Sequence, residues 1–149
     1  MKKILSLVVV LSLCILLTGC GKVLKCSSSS EQKNYNISTD YKIESSGKIV
    51  TKVTIKQVIE SKDKKVLQNF KKQLEDQYKS NNTVYGGYSY KVKINGKKLT
   101  ANITIDYKKF DLDKFVKANG AMKEYVNKDN KLTVDGAKKM YKSTGATCK

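Results

Sequence analysis

Apolar and polar residues alternate on both sides of Asn95-Gly96, and this period of two constrains the fold more than any other stretch. Asn-Gly is a favoured two-residue hairpin turn. Folding about it pairs Val92 with Leu99, Tyr90 with Ala101, Tyr88 with Ile103 and Val84 with Tyr107. Every one of those residues is apolar or aromatic, and all fall on one face. Gly86-Gly87 inside the first strand predicts a bulge or a close approach by another element.

A second pair of alternating runs lies upstream, Tyr35 to Ile43 and Ile49 to Ile59. A three-residue loop, Ser45-Ser46-Gly47, pairs Ile43 with Ile49, Thr39 with Val53 and Ile37 with Ile55, while a two-residue Ser46-Gly47 loop would slip that register. Between the hairpins, Ser61 is placed to cap a helix running to about Lys79. Val66, Phe70, Leu74 and Tyr78 recur every four residues along it, Leu67 widens the stripe, and Asn81-Asn82 breaks it. A short helix over 111–118, stopped by Asn119-Gly120, follows the second hairpin. Residues 127–131 read as a turn. Thr133 caps a last helix that turns Ala137, Met140 and Tyr141 inward and ends at Gly145. The expected fold class is α+β: an antiparallel sheet of two β-hairpins, about four strands, with a central helix and C-terminal helices packed on one face.

Residues 1–19 stand apart. Lys2 and Lys3 precede an apolar run from Ile4 to Leu17, then small residues and a cysteine, the order of a secretory signal peptide. Fourteen residues are short for a membrane span, which needs about 20. Leu17-Thr18-Gly19-Cys20 resembles a bacterial lipobox, which implies cleavage between Gly19 and Cys20 and lipidation of Cys20. Two acyl chains hold a protein stably at a membrane, at about 0.8 kcal/mol per buried methylene. The predicted location is thus the extracytoplasmic face of the cell membrane. Residues 20–34, with the serine run Ser27 to Ser30, read as a lipidated flexible tether spanning roughly 20 Å. In the alternative reading, Val23 and Leu24 rest on the membrane surface. Residues 35–149 are then a single domain.

Without residues 1–19 the chain has 28 lysines against 13 acidic residues, a net charge of +15, and no arginine. Readers of nucleic-acid sequence depend on arginine for bidentate contacts, so nucleic acid is not an expected partner. Lysine still serves as a point charge toward anionic lipid headgroups or acidic wall polymer, the partners the charge suggests. The plainer use of such charge is solubility.

There is no histidine, which removes Ser-His and Cys-His catalysis and the commonest neutral metal ligand. No phosphate-cradling glycine loop or paired-cysteine zinc motif occurs, so no metal or other cofactor is expected, and no catalytic residue is assigned. The one acidic cluster is Asp106, Asp111 and Asp113. Suitably spaced, two such carboxylates cleave glycosides, which makes an envelope-glycan hydrolase the alternative to a non-enzymatic binding or accessory domain. Their commoner use is structural, with Asp111 capping the short helix and Asp106 facing solvent. Once Cys14 leaves with the leader and Cys20 takes lipid, Cys26 and Cys148 remain, an even pair at the two ends of an exported domain. A bond between them would close a 123-residue loop, worth about 5 kcal/mol in the chain-entropy model; the alternative is two free thiols. Of the nine tyrosines, Tyr88, Tyr90 and Tyr107 read as core. Tyr85, near Gly86-Gly87, offers either a stacking surface for sugar or peptide or the commoner cross-strand aromatic packing.

This layout resembles the YehR-like lipoproteins, small bacterial lipoproteins without an assigned activity. The resemblance runs from about Tyr41 to Gly145. It is clearest in the second hairpin with Ile103-Thr-Ile-Asp-Tyr-Lys-Lys-Phe-Asp-Leu-Asp, and in Lys138-Lys-Met-Tyr-Lys with Gly145. The chain departs from that pattern in Cys26 and Cys148, and in Asn119-Gly-Ala where the family more often has a Pro-containing turn. The resemblance implies a fold and a surface location, and no reaction, ligand or catalytic residue.

Overall fold

The computed structural model describes residues 21–149. The leader, the Gly19–Cys20 cleavage site and the Cys20 lipid site lie outside the described residues. The elements in order are β1 (Val23–Glu31), β2 (Asn36–Ser46), β3 (Ile49–Glu60), α1 (Lys64–Tyr85), β4 (Tyr88–Asn95), β5 (Lys98–Asp106), α2 (Leu112–Ala118), a 3-10 turn (Gly120–Glu124), α3 (Val134–Ser143) and β6 (Thr147–Cys148). The fold is α+β. Its sheet has six strands in the order β4-β5-β3-β2-β1-β6, every neighbouring pair antiparallel.

Two strands beyond the expected four come from the ends of the chain. The stretch read as a tether is β1, paired along its whole length with β2 from Val23↔Glu44 to Glu31↔Asn36. Serine is compatible with this because a strand near a sheet edge is held by its backbone, and Leu24 and Cys26 supply the inward side chains. The folded domain therefore begins ahead of residue 35. At the other end, Thr147 and Cys148 pair with Ser27 and Cys26 to form β6.

Both hairpins form, in registers other than those expected. Each turns on a Gly-Lys pair, Gly47-Lys48 closed by Ser46↔Ile49 and Gly96-Lys97 closed by Asn95↔Lys98. Both glycines have φ +58, the left-handed region that suits the first position of a tight hairpin turn. In the second hairpin the turn has moved one residue, so Val92 faces Ala101, Tyr90 faces Ile103 and Tyr88 faces Ile105. That move shifts the pairing by two and leaves every side chain on its face, so alternation is blind to it. In the first hairpin Ser45 pairs with Val50 and Glu44 with Lys52, leaving Thr51 as a bulge whose Oγ1 donates to Glu44 O at 3.2 Å. Beyond the bulge Ile43 faces Val53, Tyr41 faces Ile55 and Ile37 faces Ile59.

Helix α1 starts later and runs further than expected. Asp63 is its cap, accepting from Lys65 N, while Ser61 Oγ donates to Asn34 O at 2.8 Å and accepts from Asp63 N. Asn81-Asn82 does not break it. The helix continues to Tyr85 and stops at Gly86, whose N–H donates to Asn82 O, while Asn82 Oδ1 accepts from Tyr88 N. Val84 therefore lies on the helix and does not pair with Tyr107. The glycine pair is a close approach: a Cβ on Gly87 would stand 2.8 Å from Asp106 O and from Phe110 N. Asp111 caps α2 and Thr133 caps α3, as their side chains suggest.

All three helices cover one face of the sheet, over two cores. One gathers Leu67 of α1 with Ile59, Leu99, Ile103 and Phe110. The other gathers Ala137 and Tyr141 of α3 with Cys26, Ile43, Val53 and Leu132. Ile55, Tyr107 and Leu112 pack against both. The opposite face of the sheet carries Ser, Thr, Asn, Lys and carboxylates and faces solvent.

Candidate functional site

The strands run between two ends of the sheet. At the near end, where β1 begins, the chain is fixed as soon as it enters the described region. Lys22 O accepts from Ser45 N at 3.1 Å and from Ser45 Oγ at 3.0 Å, and a Cβ on Gly21 would lie 3.3 Å from Ser45 O. The β2–β3 turn is braced there by Val134 N donating to Lys48 O and Val50 N donating to Leu132 O, both at 2.9 Å. Tyr107 N donates to Thr51 O at 3.0 Å, so the loop after β5 closes the same end.

A cavity of about 420 Å³ opens at this end, lined among others by Tyr107, Lys108, Asp111, Asp113, Asp129 and Lys131. Two of the three carboxylates singled out from the sequence meet here. Asp111 is already engaged, its Oδ1 accepting from Lys114 N at 2.9 Å as the cap of α2. Asp106 is outside the cavity, at the end of β5, with Oδ1 accepting from Lys108 N at 3.0 Å. Asp106 and Asp111 are thus each engaged in a structural hydrogen bond, while Asp113 and Asp129 line the cavity beside Asp111. Asp129 was not singled out from the sequence. It arrives because Asn127 Oδ1 accepts from Asp129 N and Lys131 N and folds the 127–131 turn back on itself. Among the described residues, no group of three His, Cys, Asp or Glu side chains is placed to hold a metal ion.

The tyrosines are packing residues first. Tyr41 stacks on Tyr141 with ring centroids 4.3 Å apart, and Tyr78 lies between Tyr88 and Tyr90 at 6.2 and 5.9 Å. Burial pushes the Tyr88 hydroxyl up to about 12 and raises Tyr78, Tyr107 and Tyr141 as well. These hydroxyls stay protonated near neutral pH, so they serve as hydrogen-bonding groups and not as bases. Tyr85, the last residue of α1, packs edge-on against Phe115 at 5.1 Å and close to Phe110 at 5.9 Å. Its ring is part of the core, not a stacking platform on the sheet. On the inward face Gln57 Oε1 is buried without a hydrogen-bond partner among the described residues.

Cys26 and Cys148 form a disulfide. They stand directly opposite one another in the β1–β6 ladder, with Cα atoms 4.0 Å apart. Lys149 N donates to Lys25 O at 2.8 Å and Lys25 N to Lys149 O at 3.2 Å, so the two ends of the domain are joined by backbone as well as sulfur. No sequence signal fixed this pairing beyond the parity of the cysteines and the tendency of domain ends to meet.

The lysines differ by surface. On the solvent face of the sheet Lys42 and Lys52 both bind Glu44, at 2.6 and 2.7 Å, and Lys98 binds Glu60 at 2.7 Å. Those two lysines hold the Glu44 carboxyl below the usual carboxylate range. At the near end Lys22, Lys48, Lys108, Lys109, Lys128 and Lys131 are exposed, and among the described residues none of them is in an ion pair.

An antiparallel six-stranded sheet with three helices on one face and its ends stapled by a disulfide defines the class of this domain. The Escherichia coli YehR protein, solved by NMR, has a similar fold: TM-score 0.54 at 18% identity, over 87% of this chain and 92% of that one. An NMR structure of a Streptococcus pneumoniae protein matches with TM-score 0.48 at 13% identity, over 87% of each chain. No protein-family model matches the chain. No curated protein sequence matches it. The fold is YehR-like, and no helix among the described residues is long and apolar enough to cross a membrane.

Proposed function

We propose that this chain is a lipid-anchored, extracytoplasmic binding or accessory domain with no enzymatic role, held by acylation of Cys20 and working through its basic surface. The observation that carries the reading is the Cys26–Cys148 disulfide, because such bonds persist in oxidising compartments outside the cytoplasm. It agrees with the signal-peptide order of residues 1–19 and the Leu17-Thr18-Gly19-Cys20 sequence. The net charge of +15 after residue 19 supplies attraction to anionic headgroups or wall polymer. Two observations weigh against the alternative, a carboxylate-dependent hydrolase: Asp111 is engaged as a helix cap, and Asp106 lies outside the cavity that Asp113 lines.

Metabolic labelling with a fatty-acid probe tests the anchor. The wild type takes up label and Cys20→Ser does not; equal labelling of both ends the reading. Retention of the lipidated protein's partners tests the surface. Binding of wall polymer should weaken steeply from low to high salt, because exposed charges are screened beyond about 8 Å at physiological ionic strength. Salt-independent retention would overturn the electrostatic part.

A further inference from the structure

The start of β1 fixes more than the fold. A tether over residues 20–34 would hold the domain roughly 20 Å from its attachment point. The structure leaves no such spacer: Lys22 is already bound to Ser45, and Gly21 lies against Ser45 O. Position 20 precedes Lys22 by two residues, and two residues of chain reach at most about 7 Å. That is shorter than the screening length of about 8 Å at physiological salt.

We infer that the domain sits end-on against anionic lipid headgroups, with the near end of the sheet as its docking surface. The inference rests on the acylation of Cys20 proposed above. Three observations beyond the attachment point select this end. Its six exposed lysines, at positions 22, 48, 108, 109, 128 and 131, are free of ion pairs among the described residues. They outnumber the carboxylates near them, Asp111, Asp113 and Asp129 of the cavity, Asp106 at the end of β5 and Asp135 at the start of α3. Two of the exposed large apolar side chains also lie there, Val23 at 48% and Val84 at 41% exposed. The solvent face of the sheet is a poorer match: Lys42, Lys52 and Lys98 are each tied to a glutamate, and its other exposed lysines, Lys25, Lys56, Lys91 and Lys93, stand spread over three strands. The far end carries lysines too, Lys33, Lys62, Lys97 and Lys98, but β1 climbs about 30 Å to reach it, well beyond the range of headgroup charge. Acylation supplies the anchor, and the lysines fix the tilt through their attraction to an anionic surface.

Lysine footprinting of the lipidated protein, as matured in cells, tests the seating. The protein is inserted into vesicles of phosphatidylcholine with phosphatidylglycerol, or of phosphatidylcholine alone, and modified with an amine-reactive reagent before mass spectrometry. On phosphatidylglycerol the six near-end lysines should react several-fold more slowly than on phosphatidylcholine, while Lys33, Lys62, Lys97 and Lys98 react equally on both. Replacing Lys48, Lys108, Lys109, Lys128 and Lys131 by Gln should abolish the protection left at Lys22; replacing the four far-end lysines by Gln should not. Protection spread evenly, or centred on Lys25, Lys42 and Lys56 of the solvent face, overturns end-on docking. The same spectra report the acyl group, so an unacylated product defeats the anchor itself. An acylated product without near-end protection defeats only the seating.

Discussion

The two cores under the helices are built by opposite routes. The core of α1, β4 and β5 is assembled from neighbours in sequence, since the helix leads straight into the hairpin that it covers. The core of β1, β2, α3 and β6 is assembled from the two ends of the chain, with Cys26 bonded to Cys148 across 122 positions and Ile49 bridged to Thr133. Local contacts form at little loop-closure cost, whereas the end-to-end core must recover a large one. The disulfide and the reciprocal Lys25–Lys149 hydrogen bonds lie where that cost falls.

This contrast gives the disulfide the largest expected effect. Cys26→Ser with Cys148→Ser should lower stability by about 5 kcal/mol in the chain-entropy model, with the loss concentrated in β1, β6 and α3. Urea titration with hydrogen exchange checks both the size and the place, and uniform loss of protection across the sheet would show that the two cores are one unit. Leu67→Ala, which empties a fully buried site in the local core, should cost about 3 kcal/mol. Hydrogen exchange should place its damage in α1, β4 and β5, and an effect that reaches β6 would break the division. The smallest effect compares the two turns. Gly47→Ala and Gly96→Ala put a Cβ on residues with the same φ of +58 and nothing within 4 Å, so strain alone should cost about 1 kcal/mol in each. Equal shifts in urea midpoint are expected; a larger shift at Gly47 would mean that the turn and its contacts with Leu132 and Val134 act as a coupled unit.

The same division explains what could be read from the residues. Leu67, Phe70, Leu74 and Tyr78 of the α1 stripe, though not Val66, which lies outside both cores, together with both hairpins, the Asp111 and Thr133 caps and the inward set Ala137, Met140 and Tyr141, depend on spacings of two to four residues, which periodicity reports directly. Register was not legible. Moving a two-residue turn by one position, as from Asn95-Gly96 to Gly96-Lys97, keeps Tyr88, Tyr90 and Val92 on the same face. The Thr51 bulge adds a single residue opposite Glu44 and Ser45 and has no signature in an alternating run. The serine run was misread because its composition suits a flexible linker, while its pairing comes from β2, an edge that no local pattern reveals. Ser61 and Asp63 are both good caps, and the hydrogen bond from Ser61 to Asn34 decides between them. At the near end the six lysines were visible as charge, but their gathering around the start of β1 depends on three loops that close over it.

The meeting of Lys25 with Lys149 has a practical consequence for anyone who wishes to follow this protein in cells. A fluorescent or affinity fusion appended to the last residue would emerge beside the leading strand, crowding the disulfide and the start of β1 together. The Gly96-Lys97 tip lies at the opposite extremity, and an inserted epitope there leaves both undisturbed.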